Sequence, residues 1–462
     1  MHARGWLLVV VAVAGLLTGC ATYQPRPLEP SRSETTFRSR SLWDPGLRAF
    51  AEAHRGDLAG AWPPQAWDLE SLVLVAFYYH PALEVARARV SVAEAGIRTA
   101  GARPNPRIGL APTYNASALS GISPWILGLN FDIPIETAGK RGDRIARAAQ
   151  LTDAARLTLA ETGWRARGRV RAALLEQLHA TRELGLLRAE ERVRADWVRV
   201  MELRLAVGDV SRPDVDSARI DLANTQRAVN AAEGAVGRAR VALAAALGLP
   251  VSALDGAELT WPGLDRPPAE AEVSPGRVQR AGLLNRLDVR RSLAEYAAAE
   301  AELRLEIAKQ YPDIHLGPGY TFDQGDNKFT IGVSITLPAF DQNQGPIAEA
   351  EARRREAAAQ FAALQARVIR ETEDARARYH GALGELADAD AALAVVRARE
   401  TAVRRGLEAG AEDRLALVGA QLQRVVAERA RLAALRKTQE ALGALEDAVE
   451  RPLGPEEDGE SR

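Results

Sequence analysis

Two stretches of alternating apolar and polar residues most constrain how this chain can fold. In the stretch from Pro312 to Phe340, apolar residues alternate with small or polar residues, and this period of two predicts a β-strand with one wholly apolar face. The apolar positions of that strand are Phe329, Ile331, Val333, Ile335 and Leu337. A preceding strand alternates in the same way from Ile314 to Phe322, and Gln324 to Asn327 supply turn residues. The sequence therefore predicts a β-hairpin here.

The pattern of these strands is typical of strands that cross a bilayer. Such strands have about 9–11 residues, with an apolar face towards lipid and a small or polar face towards the interior of a barrel. A soluble hairpin packed on a helix produces the same alternation. One hairpin alone therefore does not decide between the two.

A second hairpin is predicted between Arg107 and Ile135, with apolar residues at alternate positions from Trp125 onwards. A proline motif precedes each hairpin, P-N-P from Pro104 and Y-P-D from Tyr311, and a proline follows each one, Pro134 and Pro338. The separations are 208 and 204 residues, which indicates an internal duplication with a period too long for a solenoid.

Four strands in one chain leave two open sheet edges. An unpaired backbone group in hydrocarbon costs several kcal/mol, so a single copy cannot span a membrane with these strands. The sequence thus predicts that several chains share one barrel.

The N-terminus has the features of a bacterial secretion signal. The apolar run from Trp6 to Leu17 is too short for a transmembrane helix, and L-T-G-C follows it and ends at Cys20. Cys20 is the only cysteine, so no intramolecular disulfide can form. We predict a signal peptide over 1–19 and lipidation of Cys20; an ordinary signal with an incidental thiol is the alternative. The absence of aspartate after Cys20 resembles lipoproteins sorted to the outer membrane.

The remaining chain divides into two repeats of similar plan. Residues 20–68 are predicted to form an extended, lipidated segment lying over the body. The first repeat, 69–249, contains a helix interrupted near His80, the hairpin, and a long helical hairpin over about 139–248. A linker rich in Pro and Gly occupies 250–275, and the second repeat, 276–450, has a helix to about Gln310, the hairpin, and a long helical hairpin over about 343–450. Residues 451–462 are predicted to be disordered.

The length of the long helices is unusual for a small globular domain. No proline occurs between Gly139 and Pro213, and a helix over this stretch would be about 100 Å long. Apolar residues recur there at steps of three and four, which predicts an antiparallel helical pair with a coiled-coil interface. A soluble coiled-coil scaffold explains the helices alone, but it does not explain the strands or Cys20.

Composition and motifs argue against an enzyme, a cofactor and a nucleic-acid partner. The formal net charge is −1, which gives no electrostatic support for nucleic-acid binding. We find no nucleotide-binding glycine motif, no G-x-S-x-G and no phosphate-binding loop. The six histidines match no metal-ligand spacing: His2, His54, His80, His179, His315 and His380.

Several motifs together resemble the TolC-type outer-membrane efflux family, in its lipoprotein branch. They are the lipobox, P-N-P, I-P-I-E-T-A-G-K-R from Ile133, L-P-A-F-D-Q-N-Q-G from Leu337, and G-D-V-S-R-P-D-V from Gly208. The resemblance implies a mainly α fold with transmembrane β: a homotrimer whose three chains give four strands each to a 12-stranded barrel, continued by a 12-helix tube. It also implies a periplasmic adaptor and an inner-membrane pump as partners, and no cofactor beyond the lipid on Cys20.

The function implied by the resemblance is a passive exit duct of a tripartite efflux system, exporting small molecules or metal ions across the outer membrane. A lipid-anchored coiled-coil spacer without a pore is the alternative. The cargo is not indicated by any residue.

The resemblance further implies that the helical tips close the periplasmic mouth. Two tips 202 residues apart, at Gly208 and Gly410, carry the candidate gate residues Asp209, Arg212, Asp214, Asp216, Glu412, Asp413 and Arg414. Carboxylates around a threefold axis would form an electronegative ring that favours cations, and Arg–Asp pairs would hold the mouth shut. The alternative is that these residues only cap helices. The chain departs from family members with an acidic constriction at the second tip, because it has Ala416 and Gly419 at the corresponding places.

Overall fold

A computed structural model describes residues 21–54, 62–269 and 286–453 as a long helical body carrying one small sheet. The helices are α1 (Pro30–Arg38), α2 (Pro45–His54), α3 (Leu69–Tyr79), α4 (Pro81–Ala100), α5 (Lys140–Ala206), α6 (Arg212–Leu247), α7 (Leu287–Ala308), α8 (Gln344–Glu408) and α9 (Arg414–Val449). The strands are β1 (Arg107–Tyr114), β2 (Trp125–Ile135), β3 (Ile314–Asp323) and β4 (Asp326–Ile335). The predicted mainly α fold with four strands and two repeats is confirmed.

The long helices form as the sequence predicts. Helix α5 has 67 residues and α8 has 65, so each is about 100 Å long. Each turns back into a 36-residue helix, α6 or α9, after a glycine with positive φ: Gly208 at +86° and Gly410 at +76°. Glycine adopts this left-handed conformation without a steric penalty, which ends the first helix and reverses the chain.

The strands form one antiparallel sheet in the order β1-β2-β3-β4. The predicted turn after β3 is shorter than expected. Only Gln324 and Gly325 lie outside the ladder, with φ of +54° and +111°, whereas Asp326 and Asn327 already belong to β4. Two consecutive positive φ values are what a two-residue hairpin turn requires, since they match the twist of the strands.

The N-terminal segment is not extended throughout, and this part of the prediction is wrong. It contains α1 and α2, and each begins with a proline in its first turn, a position that favours helix initiation. Leu42 and Leu47 are fully buried in a hydrophobic core that they share with α3 and the end of α6, and Ala51 is fully buried as well. The Arg40 guanidinium donates to the carbonyl oxygens of Tyr79 and Gly248. The part of the segment from Arg40 to Ala51 therefore packs on the body, whereas α1 has no buried residue.

Several predicted features lie outside the described residues. These are the signal peptide over 1–19, Cys20, 55–61 of the N-terminal segment, 270–275 of the linker, 276–285 at the start of the second repeat, and 454–462 of the C-terminal tail. Within the described ranges, no helix combines the length and the hydropathy needed to cross a membrane.

Candidate channel and its two ends

The register of the sheet places the predicted apolar residues on one face. Leu110 pairs with Leu129, Leu129 with Tyr320, and Tyr320 with Phe329, so side chains of all four strands share this face. It is strongly exposed: Leu110 is 78% accessible and Ile331 is 85% accessible. Exposed contiguous apolar surface is uncommon on soluble proteins and marks a contact with lipid or protein.

The opposite face of the sheet carries glycine, threonine and charged residues. Here the His315 imidazole lies 2.7 Å from Asp132, joining β3 to β2, and Lys328 lies 2.5 Å from Asp323, joining β4 to β3. Such side chains are suited to an aqueous interior.

Aromatic rings cluster near the end of the sheet that carries the hairpin turns. Tyr114 and Trp125 contact edge to face, with ring centroids 5.2 Å apart, and Tyr320 and Phe329 are also 5.2 Å apart. The two pairs stand at different heights, because Tyr320 lies opposite Leu129, four residues along β2 from Trp125. Aromatic rings near the ends of strands are typical of the interfacial girdles of membrane barrels.

At its other end the sheet joins the helical body through a polar junction. The buried ammonium group of Lys140, in the first turn of α5, lies 2.8 Å from Asp313 and donates to the carbonyl oxygen of Tyr311 at 2.6 Å. The backbone N–H of Thr137 donates to Asp313 at 3.0 Å. The Asp313 pKa is lowered by these contacts despite the opposing effect of burial. The K of G-K-R and the D of Y-P-D therefore bind the two repeats together, a role the sequence did not reveal.

All seven candidate gate residues are exposed and lie at the two tips, as the sequence predicts. Asp214 accepts from the backbone N–H and the hydroxyl of Ser211 at the start of α6, and these bonds lower its pKa. Asp216 lies 3.4 Å from Arg219. These two carboxylates hold local structure, which matches the capping alternative.

At the second tip, Asp413 joins the two repeats. Its carboxylate accepts from the backbone N–H of Ala416 at 2.7 Å and caps α9, and it also lies 2.5 Å from the Arg204 guanidinium of α5. The Ala416 bond and then Arg204 lower the Asp413 pKa. Sequence reasoning missed Arg204, because it is 209 positions away from Asp413 and stands inside the predicted helix.

The remaining tip residues are available to another molecule. Among the described residues, Asp209, Arg212, Glu412 and Arg414 form no ion pair. Close to them, the Trp197 ring of α5 packs where a side chain at Gly419 would stand, since a Cβ there would lie 3.3 Å from Trp197 Cζ3. The absence of a side chain at Gly419 thus allows α5 and α9 to approach.

The described part of the chain contains no group of three or more His, Cys, Asp or Glu residues that could hold a metal ion. The candidate functional features of the described chain are an apolar sheet face, a polar sheet face, a polar junction and two charged tips.

Comparison with known proteins agrees with this architecture. The family model described as outer membrane efflux protein matches residues 76–249 and 279–449. The cobalt-zinc-cadmium resistance protein CzcC of Cupriavidus metallidurans is 30% identical over 275 residues, which are 57% of this chain and 61% of that protein. The chain thus aligns with less than two thirds of the length of this relative.

Solved structures share the fold. The outer membrane protein VceC from Vibrio cholerae is 20% identical, with a TM-score of 0.66 over 88% of this chain and 99% of that one. The MtrE outer membrane channel of Neisseria gonorrhoeae is 18% identical, with a TM-score of 0.65 over 83% and 89%. The predicted family is confirmed, and it is a family of channels rather than of enzymes. The chain belongs to the outer membrane efflux protein family.

Proposed function

We propose that three copies of this chain form a passive exit channel in the outer membrane. One observation carries the proposal: a four-stranded sheet stands on helices about 100 Å long, with an exposed apolar face and two edges that have no neighbour among the described residues. A sheet of this kind is stable in lipid only when its edges are paired, and closing three copies into one barrel pairs them. The helices then continue the passage into the periplasm.

In this proposal the channel conducts by diffusion. The energy comes from partners, and we propose a periplasmic adaptor at the helical tips and an inner-membrane pump. The name of the C. metallidurans relative favours divalent metal cations as cargo.

The proposal is tested by the conductance of the purified full chain in planar bilayers. Discrete current steps are expected from this chain alone, without the pump and the adaptor. A spacer protein without a pore would bind to the bilayer and give no steps, and this result would overturn the proposal. Zn²⁺ flux into liposomes, measured beside the flux of an uncharged dye of similar size, tests the cargo.

Assembly is tested separately by the mass of the protein in detergent. Separating the chains exposes strand edges, so we expect trimers and few monomers. A monomeric mass with full β-content would contradict the shared barrel.

A further inference from the structure

The two hairpins correspond residue by residue. Tyr114 contacts its Cα partner Trp125 in the first hairpin, and Tyr320 contacts its Cα partner Phe329 in the second, with the same ring separation of 5.2 Å. The tyrosines are 206 positions apart and their partners 204 positions apart. The helices that follow agree with the second value, because Gly139 and Asn343 precede α5 and α8 with left-handed φ of +75° and +64°. Each position of β1 or β2 therefore has a defined counterpart in β3 or β4.

Inside the chain, the end of the first repeat binds the start of the second. Strand β2 pairs with β3, with Leu129 opposite Tyr320. Just beyond these strands, the Thr137 N–H donates to Asp313 at 3.0 Å. The sheet contact and the junction contact together form the interface between the repeats.

Each outer edge of the sheet carries one of the two surfaces that form this interface inside the chain. The counterparts of Leu129 and Tyr320 are Val333 on β4 and Tyr114 on β1, and neither edge strand has a second neighbour among the described residues. The counterparts of Thr137 and Asp313 are Asp341 and Arg107, which have opposite charges. Within the described chain neither forms an ion pair, although Asp341 accepts from the Asn343 N–H at 2.8 Å.

We propose that the interface between subunits repeats the interface between the two halves of one chain, with Asp341 bound to Arg107 of the next copy. This inference rests on the proposed channel and specifies its assembly. Strand β4 pairs antiparallel with the next copy's β1, with Val333 opposite the next copy's Tyr114 and Leu337 opposite its Leu110. Both Leu337 and Phe340 are strongly exposed in the single chain, at 79% and 104%. The next copy covers this end of β4.

The geometry of one chain excludes an internal contact between these edges. Strands β1 and β4 are separated by three strand spacings, about 14 Å, so Arg107 and Asp341 reach each other only between copies. Because each copy offers one β1 edge and one β4 edge, the contact is head to tail and closes into a ring. Arginine and carboxylate also favour a defined, two-pronged geometry.

Disulfide cross-linking of the full chain tests the register. Thr113→Cys with Ser334→Cys places thiols at the counterparts of Gly319 and Asn130, which are direct Cα partners in the structure. We expect covalent dimers and trimers on non-reducing gels, reversed by reductant. The matched control, Thr113→Cys with Thr336→Cys, shifts one thiol to a diagonal position about 7–8 Å away. Disulfides rarely bridge Cα atoms more than about 7 Å apart, so cross-linking should be at least tenfold lower.

The outcomes separate this inference from the proposed channel. Equal or stronger cross-linking in the control pair, or monomers in both variants, overturns the register even when the protein conducts. A protein that cross-links at the predicted pair and gives no current upholds the interface and overturns the channel.

A charge exchange tests the ion pair. Arg107→Asp and Asp341→Arg should each lower the temperature at which the detergent trimer dissociates, and the double variant should recover at least half of the loss. Arg103→Asp, at an exposed arginine without an ion pair in the described chain, is the control and should leave that temperature unchanged. Additive losses in the double variant, or equal effects of the control, would overturn the proposed pair.

Discussion

Asp413 shows how one tip residue can act both as a helix cap and as a link between repeats. Its bond to the Ala416 N–H stabilises the first turn of α9, and its contact with Arg204 ties α9 to α5. Asparagine preserves an acceptor for the cap and removes the charge, whereas alanine removes both. The two substitutions therefore separate the roles.

We expect Asp413→Asn to raise single-channel conductance by freeing the tip of α9 from α5. Asp413→Ala should do the same and, in addition, destabilise the first turn of α9 by about 0.5–2 kcal/mol, measured by hydrogen exchange. Lowering the pH should raise the single-channel conductance in the same way as Asp413→Asn. Because the pKa of Asp413 in the folded protein is below its ordinary 3.8, the stabilisation is fully present above that pH and is lost as the pH falls through the lowered value. Equal exchange rates in both variants would leave the cap without a measurable role.

Cys20 lies outside the described residues, so lipidation stays a prediction from the lipobox. Cys20→Ala should abolish the incorporation of radiolabelled fatty acid while the protein still inserts into the outer membrane. The reason is that the sheet carries its own apolar face and the lipid supplies only a tether. Label incorporated equally into the variant and the unaltered chain would contradict this expectation.

At the level of secondary structure, local sequence patterns predict which helices and strands form, but not which residues these elements contact. The strands and long helices follow from periods of two and of three to four residues, which are visible within a few turns of chain. The contacts Lys140–Asp313 and Arg204–Asp413 join residues 173 and 209 positions apart, so no local pattern contains them. Helix α2 has a related origin, because the burial of Leu47 in the core, rather than a periodic pattern, stabilises it, whereas α1 has no buried residue.

The contact between α5 and α9 depends on a glycine. The buried Arg171 of α5 donates to the backbone carbonyl of Gln439 at 2.7 Å and lies 3.1 Å from Glu446, both in α9. A Cβ at Gly443 would lie 2.3 Å from Arg171 Nη1. The guanidinium cannot move away without breaking these bonds, and a buried donor left without its partner costs about 1–3 kcal/mol.

Gly443→Ala is therefore expected to lower the free energy of unfolding, although alanine favours a helix over glycine by about 0.5–1 kcal/mol. The control is Gly381→Ala in α8, where nothing lies within 4 Å of the added Cβ and the same propensity should stabilise the protein. Thermal unfolding followed by the helical circular dichroism signal measures both. A stabilised Gly443→Ala variant would show that Arg171 has room to adjust.

At the level of the whole molecule, the single chain lacks contacts that an assembly in a membrane would supply. Its apolar sheet face has no cover, its edge strands lack neighbours within the described residues, and its tip charges are only partly paired. In the proposed threefold assembly, lipid covers the apolar face and the neighbouring copies pair the edge strands. The tips then bring three copies of each unpaired charge close to one axis.

The gate hypothesis follows from the presence of three copies of each tip charge near one axis. Arg212 and Arg414 form no ion pair in the described chain, so each is available to carboxylates of a neighbouring copy. One exposed pair contributes only about 0–1 kcal/mol, but several copies acting together can hold a mouth closed. Arg212→Ala with Arg414→Ala should therefore raise single-channel conductance. If the conductance is unchanged, the two arginines are solvated and do not hold the mouth closed.

Cation selectivity tests the carboxylates of the same mouth. Asp209 is exposed and without an ion pair in the described chain, whereas Asp214 and Asp216 are engaged by Ser211 and Arg219. Three copies of Asp209 near the axis would attract cations, so Asp209→Asn should reduce cation over anion permeability, measured from the reversal potential in a salt gradient. The control is Asp196→Asn, a carboxylate paired with Arg199 on α5 well away from the tip, which should leave the reversal potential unchanged. If both variants keep the selectivity of the unaltered chain, the tip acids serve only to shape the turns.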